Sequence, residues 1–285
     1  EKRIDIVIGE KSEKVLEFSL IGVDASLANG FRRVIMAETP TMAVETVFVR
    51  ENTSQIPDEM LAHRLGLVPI QADPSLFSFR SSQDAATEGD TLIFQLKKSC
   101  KDTARATVYS GDMEWVPQGG QMEKMPAVGV VDGEIPVARL AKGQCVDLEL
   151  HCVKGIGKDH AKWSPATVSY RTRPKIEITS PVTGKDAKRL QECFSPGVIS
   201  VERVGKKQVA VVADASLDSF SREVERHPDL ASRVRQSRVN DHFMFRIESN
   251  SWYSAADIFH TAVLVFIEKC RLVRERLSRG KKKGL

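Results

Sequence analysis

The chain has 285 residues, enough for one large domain or for two to three modest ones with a real core. Its 41% hydrophobic and 28% charged residues are ordinary for a globular protein, and a net charge of +4 is too small to predict nucleic-acid binding by itself. No apolar run approaches the roughly 18 residues that span a bilayer. No signal-peptide pattern is present, and the sequence, which begins at Glu1, leaves open what precedes it.

Hydrophobic alternation predicts most of the strands. Leu16, Phe18 and Leu20 alternate with polar residues, so Val15 to Val23 is predicted as a half-buried strand that leads into a helix. Further strands of a mixed or antiparallel sheet are predicted at 43–49, 91–96, 106–109, 146–153, 166–170 and 243–247. Ser81–Asp84 is predicted to lie in an exposed loop.

The first predicted helix begins near Ser26 and ends before Pro40, with Asp24 or Ser26 as its cap. Its apolar stripe, spaced at three and four residues, consists of Leu27, Phe31 and Val34. Gly30 interrupts this stripe at a cost of about 1 kcal/mol relative to alanine, which favours a packing role such as close approach of another helix. An ordinary core helix with two solvated arginines, Arg32 and Arg33, explains the spacing as well.

A second helix is predicted after Pro57, which suits its first turn. Met60, Leu61 and Leu65 are expected to supply its apolar contacts, and Pro69 prevents its continuation. His63 lies beside Arg64 and has no second His or Cys at a metal-ligand spacing, so a structural histidine is favoured over a ligand.

The longest predicted helix runs from Ala255 to Leu277. Its heptad-like stripe consists of Phe259, Ala262 or Val263, Phe266, Cys270, Val273 and Leu277. Additional apolar residues widen this surface, so it must be covered on more than one side, by the chain's own sheet or by another chain. The basic residues between Arg271 and Lys283 suit a helix C-terminus simply through the helix dipole, and a nucleic-acid patch is the weaker reading.

Catalysis and metal binding find little support. No histidine belongs to a recognised catalytic signature, and there is no Gly-rich phosphate loop. The five cysteines are Cys100, Cys145, Cys152, Cys193 and Cys270. Their odd number and scattered positions, without a C-x-x-C pair, argue against a zinc ribbon or a disulfide framework and favour a reducing compartment.

Five blocks of sequence carry a family resemblance. They are Ser26-Leu-Ala-Asn-Gly-Phe-Arg-Arg33, Glu38-Thr-Pro-Thr-Met-Ala-Val-Glu45, His63-Arg-Leu-Gly-Leu-Val-Pro69, Gly155-Ile-Gly-Lys-Asp-His-Ala-Lys-Trp-Ser-Pro165 and Cys193-Phe-Ser-Pro-Gly-Val198. The chain resembles the α-like subunits of RNA polymerases, a superfamily that includes the bacterial α N-terminal domain, the archaeal D subunit and the third-largest subunit of polymerase II. It looks most like the larger α-like subunit shared by eukaryotic polymerases I and III, with an α-like subunit of another RNA polymerase as the alternative.

Two departures from the family refine this resemblance. Polymerase II relatives carry a zinc-binding cysteine cluster after the His-Arg-Leu-Gly-Leu block, whereas residues 71–98 contain no cysteine. Archaeal relatives have a ferredoxin-like region that can hold an iron–sulfur cluster with four thiolates. Residues 188–235 contain only Cys193, so no cofactor is expected.

The resemblance implies an α+β fold in three parts. The dimerisation domain would comprise residues 1–50, 163–183 and 236–285. A mixed insert domain would occupy residues 51–162, and a degenerate ferredoxin-like module without its cluster would occupy residues 184–235.

The resemblance also implies a function and its sites. The chain would be a non-catalytic assembly subunit that pairs with the smaller α-like subunit, forming a platform for the largest and second-largest subunits and for small zinc-binding subunits. It would support transcription of ribosomal RNA, 5S rRNA and tRNA genes in the nucleus, including the nucleolus, and meet DNA only through the complex. The expected dimer interface comprises Leu27, Gly30, Phe31, Val34, Phe259, Val263, Phe266, Cys270 and Val273. The expected large-subunit contact comprises Arg32, Arg33, His63 and Arg64.

Overall fold

The computed structural model describes residues 3–80, 86–101, 104–125, 127–205 and 207–282. The predicted loop at Ser81–Asp84 lies outside these residues. The helices are α1 (Ala25–Ala37), α2 (Asp58–Gly66), α3 (Gln121–Lys124), α4 (Lys185–Glu192), α5 (Pro228–Ala231) and α6 (Ala255–Lys282). The strands are β1 (Asp5–Lys11), β2 (Val15–Ile21), β3 (Pro40–Asn52), β4 (Ile70–Gln71), β5 (Thr91–Ser99), β6 (Arg105–Tyr109), β7 (Met113–Val116), β8 (Gly129–Val130), β9 (Pro136–Ala141), β10 (Cys145–Ile156), β11 (Ala166–Ile178), β12 (Ile199–Val204), β13 (Lys207–Val212) and β14 (Val234–Ser249).

The chain divides into two compact units, each assembled from distant segments. The first comprises Glu1–Gly9, Glu17–Ala28 and Tyr170–Phe245, and the second comprises Glu10–Leu16, Asn29–Ser169 and Arg246–Leu285. Mixed helix and strand content agrees with the predicted α+β class. The boundaries of the expected dimerisation domain, insert and ferredoxin-like module stay predictions.

One four-stranded sheet has the order β1-β2-β14-β11. On β2 the predicted alternation is confirmed, because Leu16, Phe18 and Leu20 are buried while their neighbours are half-buried. Phe18 stacks on Phe245 of β14 with ring centroids 5.1 Å apart, and Tyr170 of β11 stacks on the same ring at 5.2 Å. Aromatic pairs across neighbouring strands of this kind fix the strand register.

The second unit contains an antiparallel sheet with the order β3-β10-β5-β7. Leu150 at its centre lies opposite Val47 of β3 and Phe94 of β5. One face of the sheet packs into a hydrophobic core that also takes in Leu61 and Leu65 of α2. This core holds α2, and with it the His63–Pro69 block, against β3.

In the first unit, α4 packs with the β12–β13 hairpin over a separate small core. Leu190 and Val198 are fully buried there, and Cys193 lies among them. Burial raises the pKa of the Cys193 thiol, which disfavours the thiolate that a metal or an electrophile would require.

Several element details differ from the predictions. The prediction that Met60 packs inward is wrong. The face of α2 that buries Leu61 and Leu65 leaves Met60 exposed to solvent. Pro57 precedes α2 as its cap residue instead of lying in its first turn. β10 continues to Ile156, beyond the strand predicted at 146–153, because pairing with β3 carries it onward. None of the described helices has an apolar stretch long enough to cross a bilayer.

Candidate subunit interface

Helix α1 begins at a side-chain cap. The Asp24 carboxylate accepts hydrogen bonds from the Leu27 backbone N–H at 2.8 Å and from the Ser26 hydroxyl at 2.7 Å. These bonds, the backbone one foremost, lower the pKa of Asp24 because they stabilise its charged form. Of the two predicted caps, Asp24 accepts from the helix and Ser26 supports it.

Helices α1 and α6 meet through aromatic rings. Phe31 stacks on Phe266 with ring centroids 5.0 Å apart, and Phe259 lies 6.1 Å from Phe31 on the preceding part of α6. A Cβ placed on Gly30 would lie 3.5 Å from Phe266 Cε2, which is ordinary van der Waals contact. The structure therefore brings four predicted interface residues, Gly30, Phe31, Phe259 and Phe266, into one cluster within the chain.

The other predicted interface residues differ in their exposure. Val34 is only 3% exposed, so within this chain it is a core residue. Leu27 and Val263 are half-buried, while Cys270 and Val273 are exposed. The expected interface thus comprises a part that the chain itself covers and a part that it leaves open.

The open part is the C-terminal portion of α6. The ion pair between Lys269 and Glu38 joins α6 to the residue that follows α1. From Cys270 to Arg279 every side chain is exposed except Glu275, which is half-buried. Val273 is 58% exposed and Leu277 is 65% exposed, although both continue the stripe of Phe259 and Phe266. The thirteen residues from Cys270 to Lys282 extend about 20 Å at 1.5 Å per residue.

Arg32 and Arg33 of α1 differ in their local contacts. Arg32 donates to the Asn29 side chain at 3.1 Å and lies against the Met36 sulfur. Arg33 is exposed, and no hydrogen bond or ion pair holds its guanidinium among the described residues. Arg33 is therefore the member of the pair that is available to another chain.

The His63–Pro69 block presents His63 and Arg64 at the end of α2, and both are exposed. Arg64 donates to the Pro136 backbone carbonyl at 2.6 Å, which ties α2 to β9. Gly66 is buried, and a Cβ there would lie 3.6 Å from the Val44 carbonyl of β3. The helix end thus lies close against the strand.

The Gly155–Pro165 block lies against the ends of α1 and α2. A Cβ on Gly157 would lie 2.2 Å from the Met36 carbonyl at the end of α1. The Lys158 N–H donates to the Ala37 carbonyl at 2.7 Å. Lys162 donates to the Val44 carbonyl at 2.8 Å and forms an ion pair with Glu45, and a Cβ on Gly66 would lie 3.9 Å from Lys162 Cδ. This block therefore contacts the ends of both α1 and α2.

An open cavity of about 260 Å³ lies beside these contacts. Its walls are Val44, Glu45, Val47, Ala62, His63, Gly66, Leu67, His160 and Lys162. The sequence indicated His63, but it gave no signal that His160 and Lys162 would join it. Among the described residues, no three His, Cys, Asp or Glu side chains are grouped so that they could hold a metal ion.

These elements form an α+β protein in which two helices pair and the end of the longer one leaves its apolar stripe exposed. The family described as the RNA polymerase Rpb3/Rpb11 dimerisation domain matches residues 17–270, and the chain belongs to this family.

Curated relatives match almost the whole chain. The chain is 46% identical to the DNA-directed RNA polymerases I and III subunit RPAC1 of Mus musculus, over 97% of this chain and 84% of that protein. It is 36% identical to the subunit of the same name from Saccharomyces cerevisiae, over 96% and 88%. It is 30% identical to the DNA-directed RNA polymerases II, IV and V subunit 3 of Arabidopsis thaliana, over 94% and 90%.

Proposed function

We propose that the chain is a non-catalytic assembly subunit of RNA polymerases I and III. The mouse and yeast relatives carry that subunit name, and the match covers nearly the full chain. The weaker identity to the plant polymerase II, IV and V subunit makes the alternative, a subunit of another polymerase, less favoured. Assembly is a binding function, and exposed helical and cavity surfaces suit it.

The exposed stripe at the end of α6 is the observation that carries this proposal. Val273 and Leu277 lie on a helix that extends past its own supporting contacts, and a helix of this kind gains most by burying its apolar face against another helix. The occupant that we propose is the smaller α-like subunit. The cluster of Gly30, Phe31 and Phe266 would form the adjoining part of the same interface.

Arg33, supported by Arg32, His63 and Arg64, is the proposed contact with the second-largest subunit. A planar guanidinium that forms no ion pair among the described residues is suited to bidentate recognition of a carboxylate. The heterodimer would also carry the largest subunit and the small zinc-binding subunits, and it would reach DNA only through the complex. Its proposed place is the nucleus, including the nucleolus, where it would serve ribosomal RNA, 5S rRNA and tRNA genes.

Purification of the native complex through a tag on this chain, followed by mass spectrometry, tests the proposal. The largest subunits of both polymerase I and polymerase III are expected together with one smaller α-like subunit. Recovery of the polymerase II largest subunit in their place would contradict the assignment and support the alternative.

A further inference from the structure

One buried carboxylate in the first unit has no hydrogen-bond partner among the residues that the structure describes. Asp218 is 1% exposed, and neither of its carboxylate oxygens accepts a hydrogen bond from any residue that the structure describes. Burial of a charged group without a partner is strongly unfavourable, so buried charges in proteins are normally paired. A hydrogen-bond donor from another molecule could therefore satisfy the carboxylate of Asp218.

The carboxylate belongs to a residue that lines a defined cavity. The cavity has a volume of about 410 Å³ and is walled by Tyr170, Arg171, Thr172, Pro174, Asp218, Ser219, Phe220 and Arg238. Tyr170, Thr172 and Pro174 belong to β11, which is an edge strand of its sheet. The cavity thus lies between β11, together with Arg238 of the neighbouring strand β14, and the segment that carries Asp218.

The segment is held in an unusual backbone conformation. Phe220 and Arg222 have φ values of 60° and 57°, in the left-handed region that non-glycine residues rarely adopt. Arg171 fixes the segment from β11 by donating to the backbone carbonyls of Ser216 at 2.7 Å and Asp218 at 3.2 Å. Strain of this kind persists where the surrounding contacts impose it, and it is concentrated at binding sites.

The two arginines of the cavity have different roles. The Arg171 guanidinium is engaged by the two backbone carbonyls, whereas the Arg238 guanidinium lies over the Phe220 ring at 4.6 Å from its centroid. Arg238 is exposed at the rim and could pair with an acidic group. The carboxylate of Asp218 requires a donor, and a cationic side chain offers the strongest hydrogen bonds to it.

We propose that this cavity is an anchor site for one arginine or lysine side chain of another polymerase subunit, flanked in that subunit by an acidic residue that pairs with Arg238. The proposal rests on the chain's place in a multisubunit polymerase, but not on which subunit pairs with α6. The volume suits one long side chain with its flanking backbone.

The test uses the full chain bound to its α-like partner and three blocked tripeptides, acetyl-Glu-Arg-Gly-amide, acetyl-Glu-Lys-Gly-amide and acetyl-Glu-Gln-Gly-amide. The two cationic peptides are expected to shift the NMR amide resonances of Ser219 and Phe220, and the glutamine peptide is expected to shift them much less. Asp218→Asn should weaken binding of the cationic peptides at least tenfold. Glu202→Gln, at an exposed position of β12, should not weaken it. Equal shifts from all three peptides, or unchanged binding to Asp218→Asn, would overturn the proposal.

A stability measurement separates an anchor from a structural carboxylate. Asp218→Asn should raise the urea midpoint of the free chain, because it removes a buried carboxylate whose oxygens accept no hydrogen bond from the described residues. A lower midpoint would show that Asp218 stabilises the chain from within and would overturn the proposal. Heterodimer formation is expected to be intact in the variant, so loss of peptide binding remains distinguishable from failure of the proposed assembly role.

Discussion

Gly155 lies directly against the ring of Trp163. A Cβ on Gly155 would be 2.3 Å from Trp163 Cε2, far inside van der Waals contact. Trp163 is nearly buried, and its indole N–H donates to the Val153 carbonyl at 3.1 Å, so the ring has little freedom to move. This contact fixes the position of the loop after β10, which touches the ends of both α1 and α2.

Gly155→Ala is expected to destabilise the chain by about 1–3 kcal/mol, the usual range for overpacking in a core. Urea unfolding of the variant and the parent measures the difference. Gly129→Ala is the matched control, because a Cβ at Gly129 meets nothing within 4 Å. An unchanged midpoint for Gly155→Ala would mean that the ring can yield.

Gly30→Ala should separate folding from dimerisation. Its Cβ would make only ordinary contact with Phe266, and alanine is a better helix former, so the free chain should be up to about 1 kcal/mol more stable. The affinity for the smaller α-like subunit should fall if the glycine permits close approach of a partner helix. Unfolding curves measure the stability, and a titration with the smaller α-like subunit measures the affinity. An affinity at or above that of the parent would contradict a role of Gly30 in close helix approach.

Arg33→Ala is expected to leave the heterodimer intact and to weaken capture of the second-largest subunit. The side chain is exposed and makes no contact that folding needs among the described residues. Arg139→Ala, another exposed arginine on β9, is the control. Quantitative co-purification provides the measurement, and equal capture by both variants would reject the assignment of Arg33.

His242 should make stability fall in mild acid. Burial, aided by Arg173, lowers the pKa of His242 below its ordinary value of 6.5, so the unfolded chain binds a proton more readily than the folded one. The contribution of neutral His242 to the free energy of unfolding is fully present well above pH 6.5. It is lost as the pH falls through 6.5 towards the lowered pKa of the folded chain.

His242→Gln should therefore reduce the difference between the free energies of unfolding at pH 7.5 and pH 5.5. Urea unfolding curves of the parent and the variant at the two pH values provide the measurement. An identical pH dependence in the parent and His242→Gln would show that His242 titrates equally in both states.

The hydrophobic pattern of the sequence was sufficient to predict helices and strands that bury one face and expose the other. The period of α1 and the alternation of β2 follow directly from Phe31, Val34, Leu16 and Phe18. The β12–β13 hairpin was not predicted, because Val201 and Val209 lie on short strands of mixed polarity. Such strands carry little periodic signal.

The candidate site was predictable only in part. Phe31 and Phe266 were each indicated by a helical stripe, but their stacking joins segments far apart in sequence, and spacing cannot reveal such a contact. Likewise, His160 and Lys162 line the cavity of His63 from a segment far along the chain, and spacing cannot reveal that either. Met60 was misplaced because a short helix leaves its phase poorly determined.

Phe266→Asp is expected to prevent heterodimer formation, since it would place a charge at an apolar interface. Phe266 also stacks on Phe31 within the chain, so this variant perturbs the chain's own packing as well. Gel filtration together with an unfolding curve of the free chain is needed to interpret it. A one-to-one complex with this variant would place the interface elsewhere on α6.

The proposed binding of the smaller α-like subunit to the exposed end of α6 is tested most directly by comparing Val273→Asp with Leu264→Asp. Both side chains are more than half exposed, at 58% and 53%, so either change should spare the fold. They lie about two and a half turns apart and therefore on opposite faces of α6. Val273→Asp is expected to raise the dissociation constant of the heterodimer at least a hundredfold, about 2.7 kcal/mol, while Leu264→Asp leaves it within a few-fold of the parent. An unchanged dissociation constant for Val273→Asp would contradict binding at this end of α6.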